Sequence, residues 1–145
     1  MSSSSGAIAN STFDGNDANG HAADICIDEN SVVSLYNLTI TNTKASESSI
    51  YVDDSNVTVS KSQIKNWQSD NAIVFNNGNS TVIDTNMTGA KAVLINTGAE
   101  VHLTNVINDG ADAGEYSVYN NGKLYLNKNN FTNVIVNVGT IETPT

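Results

Sequence analysis

Two acidic pairs, Asp28-Glu29 and Asp53-Asp54, begin 25 positions apart in a chain of 145 residues. In a chain that stacks with a repeat near that length, the pairs lie one above the other, about 4.8 Å apart. Like charges at that distance repel by about 1 kcal/mol in water and about 3.5 kcal/mol at an effective dielectric of 20. Four carboxylates in so small a space would suit Ca2+, which takes about six to eight oxygen ligands. The competing reading is that acids in an exposed turn splay into solvent and keep the chain soluble. The pairs are therefore carried forward as a candidate Ca2+ site; no other cofactor is expected.

Aromatic side chains suggest a second chemistry. Trp67 falls in a polar stretch, Asn66 to Asp70, and Tyr51 and Tyr119 fall on strand positions that alternation points outward. Such rings offer flat apolar faces with a polar edge, suited to stacking on sugars. For Trp67, burial is the competing reading. Six Asn-x-Thr acceptor sequences occur, at Asn10, Asn37, Asn56, Asn79, Asn86 and Asn130. The chain holds 23 Asn, 16 Ser and 14 Thr. Composition alone gives about five acceptor sequences with either Ser or Thr in the third position, so a total of six is no sign of glycosylation.

Catalytic parts are hard to find. His21 and His102 have no acidic or cysteine partner at metal-ligand spacing, and both read as surface residues. Asp28, Asp53 and Asp54 are the only clustered acids available for a pair that would hydrolyse a glycoside. Cys26 stands alone, which excludes an internal disulfide. The chain has six Lys, no Arg and a net charge of -9. Nucleic acid and acidic lipid both need basic side chains to neutralise phosphate, so neither is an expected partner. No stretch approaches the ~18 apolar residues of a membrane helix, and no signal peptide opens the chain.

The elements that would position these residues emerge from internal repetition. Phe13, Ile40, Ile64, Met87, Ile107 and Phe131 recur at intervals of 27, 24, 23, 20 and 24 residues. Before each later one stands an alternating pair: Val33/Leu35, Val57/Val59, Thr81/Ile83, Val101/Leu103 and Leu124/Leu126. Further upstream stand Ile25/Ile27, Ile50/Val52, Ile73/Phe75, Val93/Ile95 and, less cleanly, Tyr116/Val118. Period-two alternation marks half-buried strands. Three short strands per unit and no helix predict an all-β, right-handed parallel β-helix of about six coils of 20–27 residues. The corners Asn76-Asn77-Gly78, Asn96-Thr97-Gly98 and Asn120-Asn121-Gly122 are expected to occupy one place in successive coils, where Asn and Gly tolerate positive φ. An antiparallel sandwich is the rival fold, but it does not require the same turn sequence every 20–25 residues.

Gly6-Ala7-Ile8 followed by Phe13-Asp14-Gly15-Asn16 resembles the GGAI and FxxN repeats of chlamydial polymorphic membrane proteins, without the leading second glycine. The Asn- and Thr-rich repeats as a whole are similar to the adhesin-like β-helix proteins of methanogenic archaea. The resemblance spans nearly the whole chain through short motifs. It implies an extracellular, cell-surface β-helix that attaches cells to a host or partner through surface glycans or proteins. It transfers no individual binding residue.

Other β-helix functions fit less well. A pectate lyase-like enzyme typically uses an Arg base beside Ca2+, and the polygalacturonase-like Gly-His-Gly and basic motifs are missing. Phage tail-fibre stems tend to have longer, more varied coils, and an ice-binding face needs Thr-x-Thr arrays beyond the single Thr39-Ile40-Thr41. The expectation is therefore a non-enzymatic surface module. Residues 1–5 read as a serine-rich leader or cloning scar, 6–142 as the β-helix and 143–145 as a linker stub. Neither end carries a capping helix. The expected neighbours are coils of a longer parent chain or an end-to-end copy.

Overall fold

The structure is a computed structural model that describes residues 4–44, 46–110 and 115–143. Every strand pair is parallel, and no described residue is helical. The chain folds as a parallel β-solenoid with three faces.

The first sheet stacks β1 (Ser5–Ala9), β4 (Val32–Tyr36), β7 (Asn56–Ser60), β10 (Gly78–Ile83), β13 (Ala99–Thr104), β16 (Lys123–Asn127) and β19 (Thr140–Glu142). The second stacks β2 (Thr12–Asp14), β5 (Thr39–Thr41), β8 (Gln63–Lys65), β11 (Asn86–Thr88), β14 (Ile107–Asp109) and β17 (Asn130–Phe131). The third stacks β3 (Ala22–Ile27), β6 (Ser48–Val52), β9 (Asn71–Phe75), β12 (Val93–Ile95), β15 (Tyr116–Asn120) and β18 (Val134–Asn137). The six-stranded sheets make five steps and the seven-stranded sheet six, so the rod makes about five to six turns, close to the six coils that the repeats suggested. The first strand begins at Ser5, inside the expected leader, and part of that leader and of the 143–145 stub lies outside the described residues.

Alternation explains the core. Each coil turns Val, Ile or Leu inward at every second strand position, and identical positions stack into columns. In the third sheet Ile25, Ile50, Ile73, Val93 and Val118 form one column and Ile27, Val52, Phe75 and Ile95 another, all buried. In the first sheet Leu35, Val59, Val82 and Leu103 do the same.

Two sequence expectations are off by one residue, and a third holds at one of its two positions. In β10 the inward residues are Ser80 and Val82, because Val82 aligns with Val59 and Leu103; Thr81 and Ile83 face out. In β14 it is Asn108 that aligns with Met87 and Phe131, leaving Ile107 41% exposed. In β15 a bulge between Tyr116 and Val118 shifts the register, so the buried pair is Val118 and Asn120. A one-residue slip sends a side chain to the opposite face, and local composition does not reveal it. Asn108 donates Nδ2 to the Met87 and Gly89 carbonyls at 2.9 and 2.8 Å, while its buried Oδ1 has no partner among the described residues.

The corners also differ from expectation. Between the third and first sheets, four residues lie between Ile27 and Val32, but three between Val52 and Asn56 and only two between Asn120 and Lys123. The Asn-Gly corners are therefore not in one register. Asn121 rather than Asn120 follows Asn96, and Gly122 stands over Ala99 rather than Gly98. The regular corner is the next one. Asn10, Asn37, Lys61, Asp84, Asn105 and Lys128 each follow a first-sheet strand, with φ between 49° and 59°. Asn and Asp tolerate this left-handed conformation better than most residues, and stacking holds Lys there as well. Within the column Asn37 Nδ2 donates to Asn10 Oδ1 at 2.7 Å, and Asn105 Nδ2 to Asp84 Oδ1 at 2.8 Å.

Candidate functional site

The outward face of the third sheet carries one continuous column of unlike residues: Cys26, Tyr51, Val74, Leu94, Tyr119 and Val136. Outward positions on the other two sheets are mainly Ser, Thr, Asn and charged residues. Val74, itself only 3% exposed, and the half-buried Leu94 lie at the base of a recess of about 180 Å3. Tyr51 stands at one end and Tyr119 beyond the other, three steps and about 14 Å away.

The flanking loops build the walls. Successive loops are bonded to each other, as in Glu47 N–H to Gly20 O at 3.1 Å and Asn71 N–H to Glu47 O at 2.9 Å. That stacking brings His21 over the Tyr51 ring, 4.3 Å between centroids and 19° from parallel. Glu47 Oε2 holds His21 Nδ1 at 2.6 Å. At the other end Tyr116 meets Tyr119 edge-on at 5.5 Å. The Tyr116 hydroxyl and the buried Asn71 amide exchange hydrogen bonds at 2.9 and 3.0 Å, across 45 residues of sequence. Asp70 and Asn96 complete the rim.

Glu47 and Asp70 line the recess together with His21. Burial first, then the Asp53 and Glu47 carboxylates, pushes the Tyr51 hydroxyl above the usual phenol range. Burial likewise raises Tyr116, with Glu115 and Asp70 adding to it and the Asn71 hydrogen bond opposing. Cys26 lies at the same face, exposed, its thiol raised by burial of part of its surface and by Asp28. A thiol held protonated is a poor nucleophile.

The other sequence-derived residues are placed as follows. Trp67 is half-buried; its indole N–H donates to the Ala90 carbonyl at 3.0 Å, and its ring lies so close to Gly89 that an added Cβ would stand 2.9 Å away. It therefore clasps two loops and lies apart from the Tyr51–Tyr119 column. Of the four acids, Asp28 and Asp53 share a column, whereas Asn30 rather than Glu29 bonds to the Asp54 backbone, at 2.8 Å. Asp53 Oδ1 accepts Nδ2 of Asn76 at 2.9 Å and of Asn77 at 3.4 Å. Among the described residues no three His, Cys, Asp or Glu side chains converge on a metal-sized space. All six acceptor asparagines are exposed. Asn79 donates to Glu100 at 2.6 Å, while Asn86 and Asn130 show no side-chain hydrogen bond among the described residues. His102 faces outward on the first sheet, stacked on Tyr125 at 4.2 Å.

Sequence reading put Tyr51 and Tyr119 on outward strand positions, where the structure also has them, but Tyr51 is only 8% exposed with His21 over its ring, Tyr119 is half-buried, and Val74, Leu94, His21 and Glu47 were not singled out as their neighbours. The outward apolar positions between the two tyrosines were the available signal. No protein-family model, curated protein or solved structure matches this chain.

Proposed function

We propose that this chain is a non-enzymatic, adhesin-like module of an extracellular surface protein, and that its third-sheet recess contacts the surface of another cell. The observation that carries this reading is the recess beside the outward third-sheet column Tyr51, Val74, Leu94 and Tyr119, in which Leu94 and Tyr119 are partly exposed while Tyr51 and Val74 are buried. Concave apolar floors with a few polar groups at the rim are the usual form of a ligand site. Stacked coils hold such a site rigid, so little ordering entropy is lost on binding.

The test is a glycan array and a cell-binding assay with the isolated chain, with and without Ca2+, alongside Leu94→Asp. Binding that disappears in Leu94→Asp while the β-sheet circular dichroism is kept supports the reading. Turnover of an oligosaccharide, or silence on both glycans and cells, would overturn it.

A further inference from the structure

We propose that Asn19 is a self-modifying site: of three Asn-Gly sequences, it is the one that the fold leaves free to convert to aspartate and isoaspartate. The inference is independent of the adhesive reading.

Asn19-Gly20, Asn77-Gly78 and Asn121-Gly122 are chemically alike. In each, the glycine nitrogen can lose its proton to hydroxide and attack the asparagine Cγ. The N–Cγ bond forms, the Cγ–Nδ2 bond breaks, and ammonia leaves with a proton from water. Water then opens the resulting succinimide at either carbonyl. One opening gives aspartate; the other gives isoaspartate, with the main chain running through the former side chain. No oxidant or reductant is needed. Glycine favours the attack because no Cβ crowds its nitrogen or restricts its backbone.

The coils hold two of the three. Asn77 Nδ2 reaches Asp53 Oδ1 at 3.4 Å in the coil below, and its Oδ1 packs on Gly98 in the coil above. Gly78 is paired in the β10–β13 ladder and lies against the Ser55 backbone. At the second, the Gly122 N–H, the nucleophile itself, is bound to Asn120 Oδ1 at 3.0 Å, and the Asn121 N–H to the Ile95 carbonyl at 2.8 Å. Asn19 and Gly20 lie in the loop between β2 and β3, both exposed. Neither the Asn19 side chain nor the Gly20 N–H makes a hydrogen bond among the described residues, and nothing lies within 4 Å of a Cβ built on Gly20. Releasing one hydrogen bond before attack slows a held site by about two- to tenfold, and moving stacked backbone slows it further.

The position gives the change a consequence. The Gly20 carbonyl accepts the Glu47 N–H at 3.1 Å, and His21, one residue on, stacks on Tyr51. Isoaspartate at position 19 adds a methylene to the main chain immediately before this anchor, and either product puts a carboxylate two residues from His21. The wall of the recess is therefore remodelled by the reaction.

The experiment incubates the intact chain in isotopically labelled water at neutral and mildly alkaline pH, with and without concentrated urea. Peptide mapping after digestion in mild acid follows label uptake at each asparagine. In the folded chain Asn19 is expected to react about tenfold faster than Asn77 or Asn121, or more, and faster still at the higher pH. In urea the three rates should converge. Gly20→Ala should slow Asn19 several-fold while keeping the β-sheet circular dichroism. Equal rates in the folded chain, or Asn77 or Asn121 reacting first, would overturn the proposal. A preference for Asn19 that persists unchanged in urea would overturn it too, by tracing the selectivity to local sequence instead of the fold. The isoaspartate form, separated by anion exchange, should show moved His21 ring signals in its proton spectrum. Unmoved signals would overturn the effect on the recess wall.

Discussion

Asn120 stands directly over Ile95, not over Asn96, although both asparagines open an Asn-x-Gly sequence. The slip puts a polar side chain at the end of the column formed by Ile27, Val52, Phe75 and Ile95. The structure satisfies it fully: Nδ2 donates to Asn137 Oδ1 and the Thr140 carbonyl at 2.9 and 3.0 Å, and Oδ1 accepts the Gly122 N–H at 3.0 Å. Asn120→Ala should destabilise the fold by about 1–3 kcal/mol, because it orphans those partners. Urea unfolding against wild type checks this, and no change in midpoint would contradict the assigned register.

Gly78 should tolerate no side chain. Its φ is +101°, and an added Cβ would lie 2.1 Å from the Ser55 carbonyl oxygen in the coil beneath. Gly78→Ala is expected to cost about 2 kcal/mol or more, through overpacking and backbone strain together. Gly20→Ala, where nothing lies within 4 Å, is the matched control and should be close to neutral. Thermal melts of the two variants distinguish them.

Lys128 holds a left-handed corner at φ 59° without the side chain best suited to it. Lys128→Asn should stabilise by about 0.5 kcal/mol, since Asn occupies that region at lower cost. The gain is read as a higher urea midpoint with an unchanged slope.

Asp14 introduces a pH term. The Asn42 amide and the Thr41 hydroxyl both donate to its Oδ1, at 2.9 and 3.0 Å, and hold its carboxyl below the usual carboxylate range. A depressed folded pKa gives stability that is present above the unfolded value and lost as pH falls through the folded one. The destabilisation by Asp14→Ala should therefore be measurable at about pH 6 and shrink steadily below about pH 4. An effect that grows on acidification would reverse the sign and refute the assignment.

Repeat length, strand alternation and parallel stacking were legible because each depends on many residues with a fixed period. Ile25, Ile50 and Ile73 announce one column through spacing alone. Corner register was not legible. Asn-Asn-Gly and Asn-Thr-Gly look interchangeable, yet the number of residues spanning the corner decides which of them stack. The left-handed column after the first-sheet strands escaped notice because Lys61 and Lys128 interrupt its run of Asn and Asp. The recess was half legible. Alternation placed Tyr51 and Tyr119 outward, but the His21 stack and the Asn71–Tyr116 bond depend on loop stacking, which no local pattern encodes.

The strand ladders join each coil only to the coils directly above and below it. Energetically the molecule is a linear array of coupled links rather than one cooperative body. An outer link is held by one neighbour and an inner link by two, so opening proceeds like a zipper from both ends. Amides in β9 and β10 should therefore exchange with deuterium last, while those of β1 and β19 exchange first. The coils that line the recess belong to the slow middle of that gradient, where the scaffold is least given to opening.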